Sequence, residues 1–511
     1  MTGVLIIDCK VGGLRRGSVY CEGGKVVSVS SDETQRVPEG TQTIDAKGGS
    51  VFPGFIDTHC HPFEYGWLKR SVDLRGVANA TGIRQRLLAG IRRAGQGEWV
   101  TGMGWDQEVW PGRKVPVRED IDDVSPSNPV ALSRICGHVA LLNSRAIDLL
   151  GLEGKRGDEY ERDEAGRLTG IVKEKAVAGV FEGMPRSPQR LAADLQSVEA
   201  EAARLGLTSL HSIVSTGGFR EELEAIAQLD AAGSLSLRHR VYVPPEALAF
   251  VEEKGLREKF AGGMVRLNGV KIFADGSLGA RTAALREPYA DDPRNLGLLR
   301  YRDEELARLV ENVDRLGLQA VVHAIGDRAV EQAAEAIGAV SGTKNPRRHR
   351  IEHASLLPRD LLSKMARHGI RAAVQPLFVT SDVWATQRLG EERAKDLYPF
   401  RSMLREGIIA SGGSDSPVES LSPVLGIWAA MTRGGANPKE SLGLDDSLSF
   451  YTSNAAANGF DDENGLIAEG APADLTVVDS DTEGMHPALL RKIGVLATVV
   501  GGSVVHSFGS G

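Results

Sequence analysis

The chain has 511 residues, a net charge of −8 at neutral pH and a pI near 5.9. Apolar residues at 41% and charged residues at 25% are ordinary for a folded globular protein and give no support for disorder or a fibrous repeat. The acidic balance provides no basic field for nucleic acid or an anionic membrane surface, so a small-molecule partner is the default, with a homo-oligomer left open.

At roughly 100–200 residues per domain, this length implies several domains. Cys9, Cys21, Cys60 and Cys136 are too few and too scattered for a disulfide framework or for CxxC metal ligation, which suits a reducing, cytoplasmic setting. The opening MTGVLIIDCK has a short apolar run with no basic stretch before it and reads as a first strand, not as a signal peptide or a membrane span.

From Val4 to Ile44 the β-type runs VLIID, GSVYCEG and KVVSVS alternate with Gly, Asp and Ser turns, predicting an antiparallel sheet that lacks a partner layer. The stretches NGLIAEGAPADLTVVDSD and GVLATVVGGSVVHSFG read the same way at the other end. Residues 1–50 and 441–511 are therefore predicted to form one small β-sandwich.

Beyond about Ala200 the pattern becomes strand and helix in alternation. LTSLHSIV, HRVYV, VKIFADGS, QAVVHAIGD, HRIEHAS, RAAVQPL and IIASGGSDSP are strand-like, and stretches such as EELEAIAQLDAAG and DEELARLVENVDRLG are helical. With FPGFIDTHCHP as the first strand the set reaches eight, the number that closes a (β/α)8 TIM-type barrel, here from residues 51–63 and 200–440. Residues 64–199, far longer than a simple βα connection, form a large insertion after barrel strand 1. That inserted domain is expected over the barrel mouth. It carries Trp67, Trp99, Trp105 and Trp110, either as an apolar wall over the mouth or as its own core.

The strongest local signal is His59-Cys60-His61 at the end of the first strand. Residues two apart on a strand share a face, so both imidazoles enter one space while Cys60 points away. His323 ends QAVVH and His353 ends HRIEH, and every barrel strand opens its C-terminal end onto the same face, so four histidines converge. Asp415, in IIASGGSDSP, adds a carboxylate there. Lys271 lies inside the apolar strand GVKIFADG and is either a buried ion-pair partner or an amine carboxylated into a bridging ligand. Imidazole and carboxylate donors suit zinc and other late divalent ions in sites that keep a position open, which is a catalytic pattern and not a structural one.

Together with GWDQEVWP, SRICGHVALLN, GVKIFADGSLGARTAAL, VVHAIGDRAV, RIEHASLL, GSDSPV and GLIAEGAPADLTVVD, these segments resemble the amidohydrolase superfamily. Within it they are most similar to the branch that includes N-substituted formamide deformylases. The resemblance implies a hydrolase of non-peptide C–N bonds with one or two divalent ions per chain, zinc by donor type. It makes His59, His61 and Asp415 ligands of one ion and His323 and His353 ligands of the other, with carboxylated Lys271 between them and Asp415 as general base and then general acid.

It also points to substrate-binding roles for His138 in RICGHVALLN, Trp105, Asp106, Asp275 and Arg281. The plain alternatives are a turn histidine, packing residues, and an Asp275–Arg281 pair. Two other functions remain open at this level: the same centre acting on an ester, lactone or cyclic imide, and a metal-free binding protein.

Overall fold

A computed structural model of the protein describes residues 3–11, 14–31 and 36–508. The chain divides into two compact units, one running to Tyr65 and resuming at Leu191, the other Gly66–Arg190.

The first unit is built on eight parallel strands, β1 (Phe55–Cys60), β2 (Leu207–Ile213), β3 (Arg238–Val243), β4 (Val265–Phe273), β5 (Gln319–Ala324), β6 (Arg350–His353), β7 (Arg371–Val374) and β8 (Ala410–Gly412). They pair in chain order from β1 to β8. Rich in Val, Ile, Leu and Ala and buried on both faces, they have the composition that parallel sheets require. Helices cover the outside. In Asp303–Arg315 the apolar Leu306, Val310 and Val313 recur on one buried stripe, while Asp303, Glu304 and Glu305 in the first turn oppose the helix dipole.

The sheet closes between β8 and β1. The Asp415 N–H donates to the His59 carbonyl at 2.7 Å and the His61 N–H to the Ser416 carbonyl at 2.8 Å. Thr58 Oγ1 adds a bond of 2.9 Å to the Gly412 carbonyl. Strands at opposite ends of the barrel sequence are thereby stitched at the residues that carry His59, His61 and Asp415.

At the other end of the barrel, Leu444–Ser449 and Ser453–Asn458 are helical and pack against the strands. The carbonyls of Asn458 and Gly459 accept from Gln319 and Asn268 at 3.2 and 2.9 Å, and that of Ala457 from Arg371 at 2.7 Å. The segment from 441 to about 465 therefore goes with the barrel and not with the sandwich, because the buried polar side chains at the strand starts need those carbonyls.

The sandwich itself is made from both chain ends. One sheet runs Lys25–Ser30, Leu14–Glu22, Val4–Val11, Gln42–Asp45, and the other Ser503–Ser507, Val495–Val500, Leu475–Val478, Val51–Pro53. Ile6, Val19 and Val26 from the first share a core with Val51, Leu475, Val477 and Val499 from the second. Residues 51–53 thus serve the sandwich before β1 begins.

In the second unit a six-stranded mixed sheet separates two apolar cores. Trp105 and Trp110 fill this unit's own interior, and Trp67 and Trp99 are half-buried. Trp105 and Trp110 lie 6.3 Å apart, and their indole N–H groups donate to the Leu132 and Val77 carbonyls at 2.8 and 2.7 Å. Trp67 meets Phe181 edge-on at 5.9 Å.

A Cβ added at Gly269 of β4 would stand 2.1 Å from the Gln319 carbonyl oxygen of β5. Gly269→Ala is expected to destabilise the barrel by about 1–3 kcal/mol or more, read as a lower urea midpoint. An unchanged midpoint would mean that the two strands separate freely there.

Candidate metal centre

Four histidines, one lysine and one aspartate meet at the C-terminal end of the barrel. The imidazoles form a chain: His61 to His59 at 5.5 Å between ring centres, His59 to His353 at 4.9 Å, His353 to His323 at 4.4 Å. Asp415 Oδ1 lies 3.1 Å from His61 Nε2 and 3.2 Å from His59 Nε2, and Lys271 Nζ lies 3.3 Å from His59 Nε2. Donor atoms of His59, His61 and Asp415 all fall within 4.8 Å of one another. All six expected donors are therefore brought to one place, from the ends of β1, β5, β6 and β8 and the middle of β4.

The backbone is bent to achieve this. His353, Ala354 and Asp415 have φ of 69°, 44° and 54°, left-handed values that side chains other than glycine rarely adopt. Such strain costs on the order of 1–3 kcal/mol per residue and persists where the surroundings over-determine it. Gly413 answers a different demand, since a Cβ there would stand 2.7 Å from the His59 nitrogen and 2.8 Å from its Cβ. The Asp57 carboxylate accepts from the N–H groups of His59 and Ser414, both at 3.0 Å, and ties the same two segments together. Burial pushes the Asp57 carboxyl up to about 6, against the pull of these hydrogen bonds.

Three of the four imidazoles have one ring nitrogen anchored by an outer acceptor. His59 Nδ1–H donates to Glu352, His353 Nδ1–H to Gln375 Oε1 at 2.7 Å, and His323 Nε2–H to the Gly276 carbonyl at 3.0 Å. This leaves His59 Nε2, His353 Nε2 and His323 Nδ1 as the nitrogens available to a cation, with the opposite nitrogen of each ring held from outside, an arrangement that suits metal-binding histidines.

Burial, then the Lys271 ammonium, lowers the His323 imidazole to about 3. Burial, then His323 and His59, holds His353 well below its ordinary range. Both are neutral with a lone pair to give. Burial brings Lys271 down to about 8. Burial also raises the Asp415 carboxyl, but His59 and His61 outweigh it and keep it ionised, well below the usual range. Two neutral imidazoles, an ionised carboxylate and an amine near its titration point fit a divalent cation of zinc type.

The centre has an inner and an outer side. His59, Lys271 and His353 are at most 2% exposed, whereas the side chains of His61, Asp415 and His323 keep 19%, 14% and 12% of their surface. Phe378 lies parallel to His353 at 6.1 Å and Phe273 leans on His323 at 5.3 Å, giving the cluster apolar flanks.

The other expected residues have partners of their own. Asp275 is wholly buried and accepts from the N–H groups of Ala284, Ile325 and Gly326 at 2.9, 3.1 and 2.9 Å. Burial raises its carboxyl to about 7 against those bonds. Its Oδ1 is 3.4 Å from His323 Nε2, so it braces a donor from behind and has no face for substrate. Arg281 does not pair with Asp275; it pairs with Asp291 at 2.9 Å. Trp105, in the second unit, has no exposed surface left for a ligand. In that unit Asp106 accepts from Arg134 at 2.6 Å, and His138 is exposed beside Glu174 at 3.1 Å.

Glu352, Gln375, Arg350 and Asp57 were not among the expected residues. The signal was present in HRIEH, where two charges two apart, Arg350 and Glu352, share one face of a fully buried strand.

The sequence pattern of the amidohydrolase family matches residues 42–506, and the chain belongs to that family. It is 32% identical to the YtcJ protein of Bacillus subtilis over 97% of this chain and 96% of that one. It is 27% identical to the N-substituted formamide deformylase of Arthrobacter pascens over 95% and 94%. Among solved structures, an uncharacterized metal-dependent hydrolase of Pyrococcus furiosus matches with a TM-score of 0.81 and 33% identity, covering 94% of this chain and 99% of the other.

Alanine at Gly413 is expected to force His59 away from Asp415 and to cost about 1–3 kcal/mol in urea unfolding. Gly217→Ala, with nothing within 4 Å of the added carbon, is expected to change little and serves as the control.

Proposed function

We propose that the protein is a metal-dependent hydrolase that cleaves a non-peptide C–N bond, of amide or formamide type, in a small-molecule substrate. The observation that carries this reading is the anchoring of one ring nitrogen in His59, His323 and His353, which reserves the other for a cation shared with Asp415. In this reading His59, His61 and Asp415 hold one divalent ion, zinc by donor type, and His323 and His353 hold a second. Lys271, in carboxylated form, would be the donor shared between them. Its neutral amine, accessible at a pKa of about 8, adds to carbon dioxide to give a carbamate and one released proton.

A divalent ion supplies acidity to water, whose pKa falls from 15.7 to about 7, and polarises the substrate carbonyl. Asp415 moves the proton: its carboxylate takes it from water as the C–O bond forms and delivers it to the nitrogen as the C–N bond breaks. One water is consumed, and an acid and an amine leave. The family and the name of the Arthrobacter relative support the choice of a C–N bond. Phe273 and Phe378 offer apolar sides to a substrate, and Arg281 is a candidate substrate contact on the loop after β4.

Among the described residues no helix is long and apolar enough to cross a membrane. The few, scattered cysteines suit a reducing compartment better than a disulfide framework, and we place the protein in the cytoplasm.

Removing metal with a chelator is expected to abolish amine release, and added zinc to restore it, with elemental analysis giving one or two ions per chain. Asp415→Asn is expected to lower kcat by about 10²–10⁴. Full activity in the chelated protein or in that variant would refute the mechanism. Across a panel of formamides, N-acyl amino acids, esters and lactones, the formamides and amides are expected to turn over fastest; the reverse order would assign the same centre to an ester or lactone.

A further inference from the structure

Beneath the donors lies a second constellation, entirely within the barrel. Glu352 and Arg350 of β6 have no exposed surface, and His59 of β1 is almost as buried. One Glu352 oxygen receives His59 Nδ1–H, and the other receives Arg350 Nε–H at 2.5 Å. Arg350 then spends its remaining N–H groups across the barrel. Nη2 donates to the carbonyl of Thr58, the residue preceding His59, at 2.9 Å. Nη1 donates to His211 Nδ1 at 3.0 Å and to the Tyr242 hydroxyl at 3.3 Å, and the guanidinium lies 4.7 Å over the Tyr242 ring. Four strands, β1, β2, β3 and β6, are thus held by one side chain, which grips the backbone beside His59 while the carboxylate it carries grips the ring.

We propose that Glu352, clamped by Arg350, is a positioning residue that fixes the tautomer and orientation of His59 and thereby sets how tightly the centre holds its cation. The inference rests on the reading of His59 as a metal ligand. A carboxylate on Nδ1–H keeps a proton on that nitrogen, so the nitrogen that a cation would take is Nε2, which faces Asp415 and Lys271. The fork of the arginine leaves the carboxylate no other place to turn. The competing account is a buried ion pair that only stabilises the barrel.

The two accounts part in a pair of variants read by cobalt(II) titration, with visible absorption reporting affinity, and by urea unfolding of the metal-free protein. Glu352→Gln keeps the shape but strands the Arg350 charge, so both accounts predict a lower unfolding midpoint. The double variant Arg350→Met/Glu352→Leu removes both charges and leaves His59 Nδ1 no acceptor at that position, and its unfolding midpoint is expected to recover toward wild type. Positioning predicts that its cobalt affinity nevertheless stays about 10- to 100-fold below wild type. Glu352→Asp, which keeps the pair with Arg350 but is one methylene too short to reach His59, is expected to weaken cobalt similarly with a near-normal midpoint.

Wild-type affinity in either of these two folded variants overturns the inference while leaving the metal centre intact. A wild-type chain that takes up no cobalt overturns the metal-centre reading, and this inference with it.

Discussion

The seam between β8 and β1 is the constraint on which the site depends. These strands are separated by some 350 residues of chain, and what joins them is short: two backbone hydrogen bonds around His59, His61, Asp415 and Ser416, with Thr58 reinforcing them from the side. The bonds that complete the barrel are made by the backbone of the candidate donors themselves. Closure of the fold and assembly of the first three donors are therefore one event, and the close approach at Gly413 shows how little slack the junction has. The Asp57 carboxylate, bonded to the backbone on both sides, works to the same end.

Inside this closed sheet the protein carries an unusual load of charge. Lys271, Arg350, Glu352 and Asp57 are each at most 1% exposed. Removing such groups from water costs on the order of several kcal/mol per ion unless partners and hydrogen bonds offset it. Here every one of them has partners contributed by a different strand, so the offset exists only in the assembled barrel. Burial and the neighbouring cations and carboxylates also set the protonation of the donors, which keeps His323 and His353 neutral and Asp415 ionised. The same desolvation that burdens the fold prepares the donors.

Much of this was legible in the sequence because it is local. A strand's alternation places His59 and His61 together, and the rule that barrel strands open on one face gathers His323, His353 and Asp415 without any contact being known. The two-ended sandwich was visible in the matching strand-and-turn character of the termini. The braces were harder to see. The acceptor for His59 comes from a residue 293 positions away, that for His353 is a glutamine at the start of a loop, and that for His323 is a backbone carbonyl with no side-chain signature. The helices of 444–458 were hidden too, since their role is to offer carbonyls to polar residues on distant strands. Trp105 and Asp275 suggested substrate contact because of the motifs they sit in, whereas each is consumed by its own surroundings.

The division of the donors into a buried and a part-exposed set bears on how the centre exchanges its contents. His59, Lys271 and His353 sit behind, and His61, Asp415 and His323 stand toward water. Whatever exchanges with water meets His61, Asp415 and His323 first, whereas His59 and His353 meet only protein on their far side, their outer nitrogens tied to Glu352 and Gln375. A side chain held in that way gives up its place only when the strand that carries it moves.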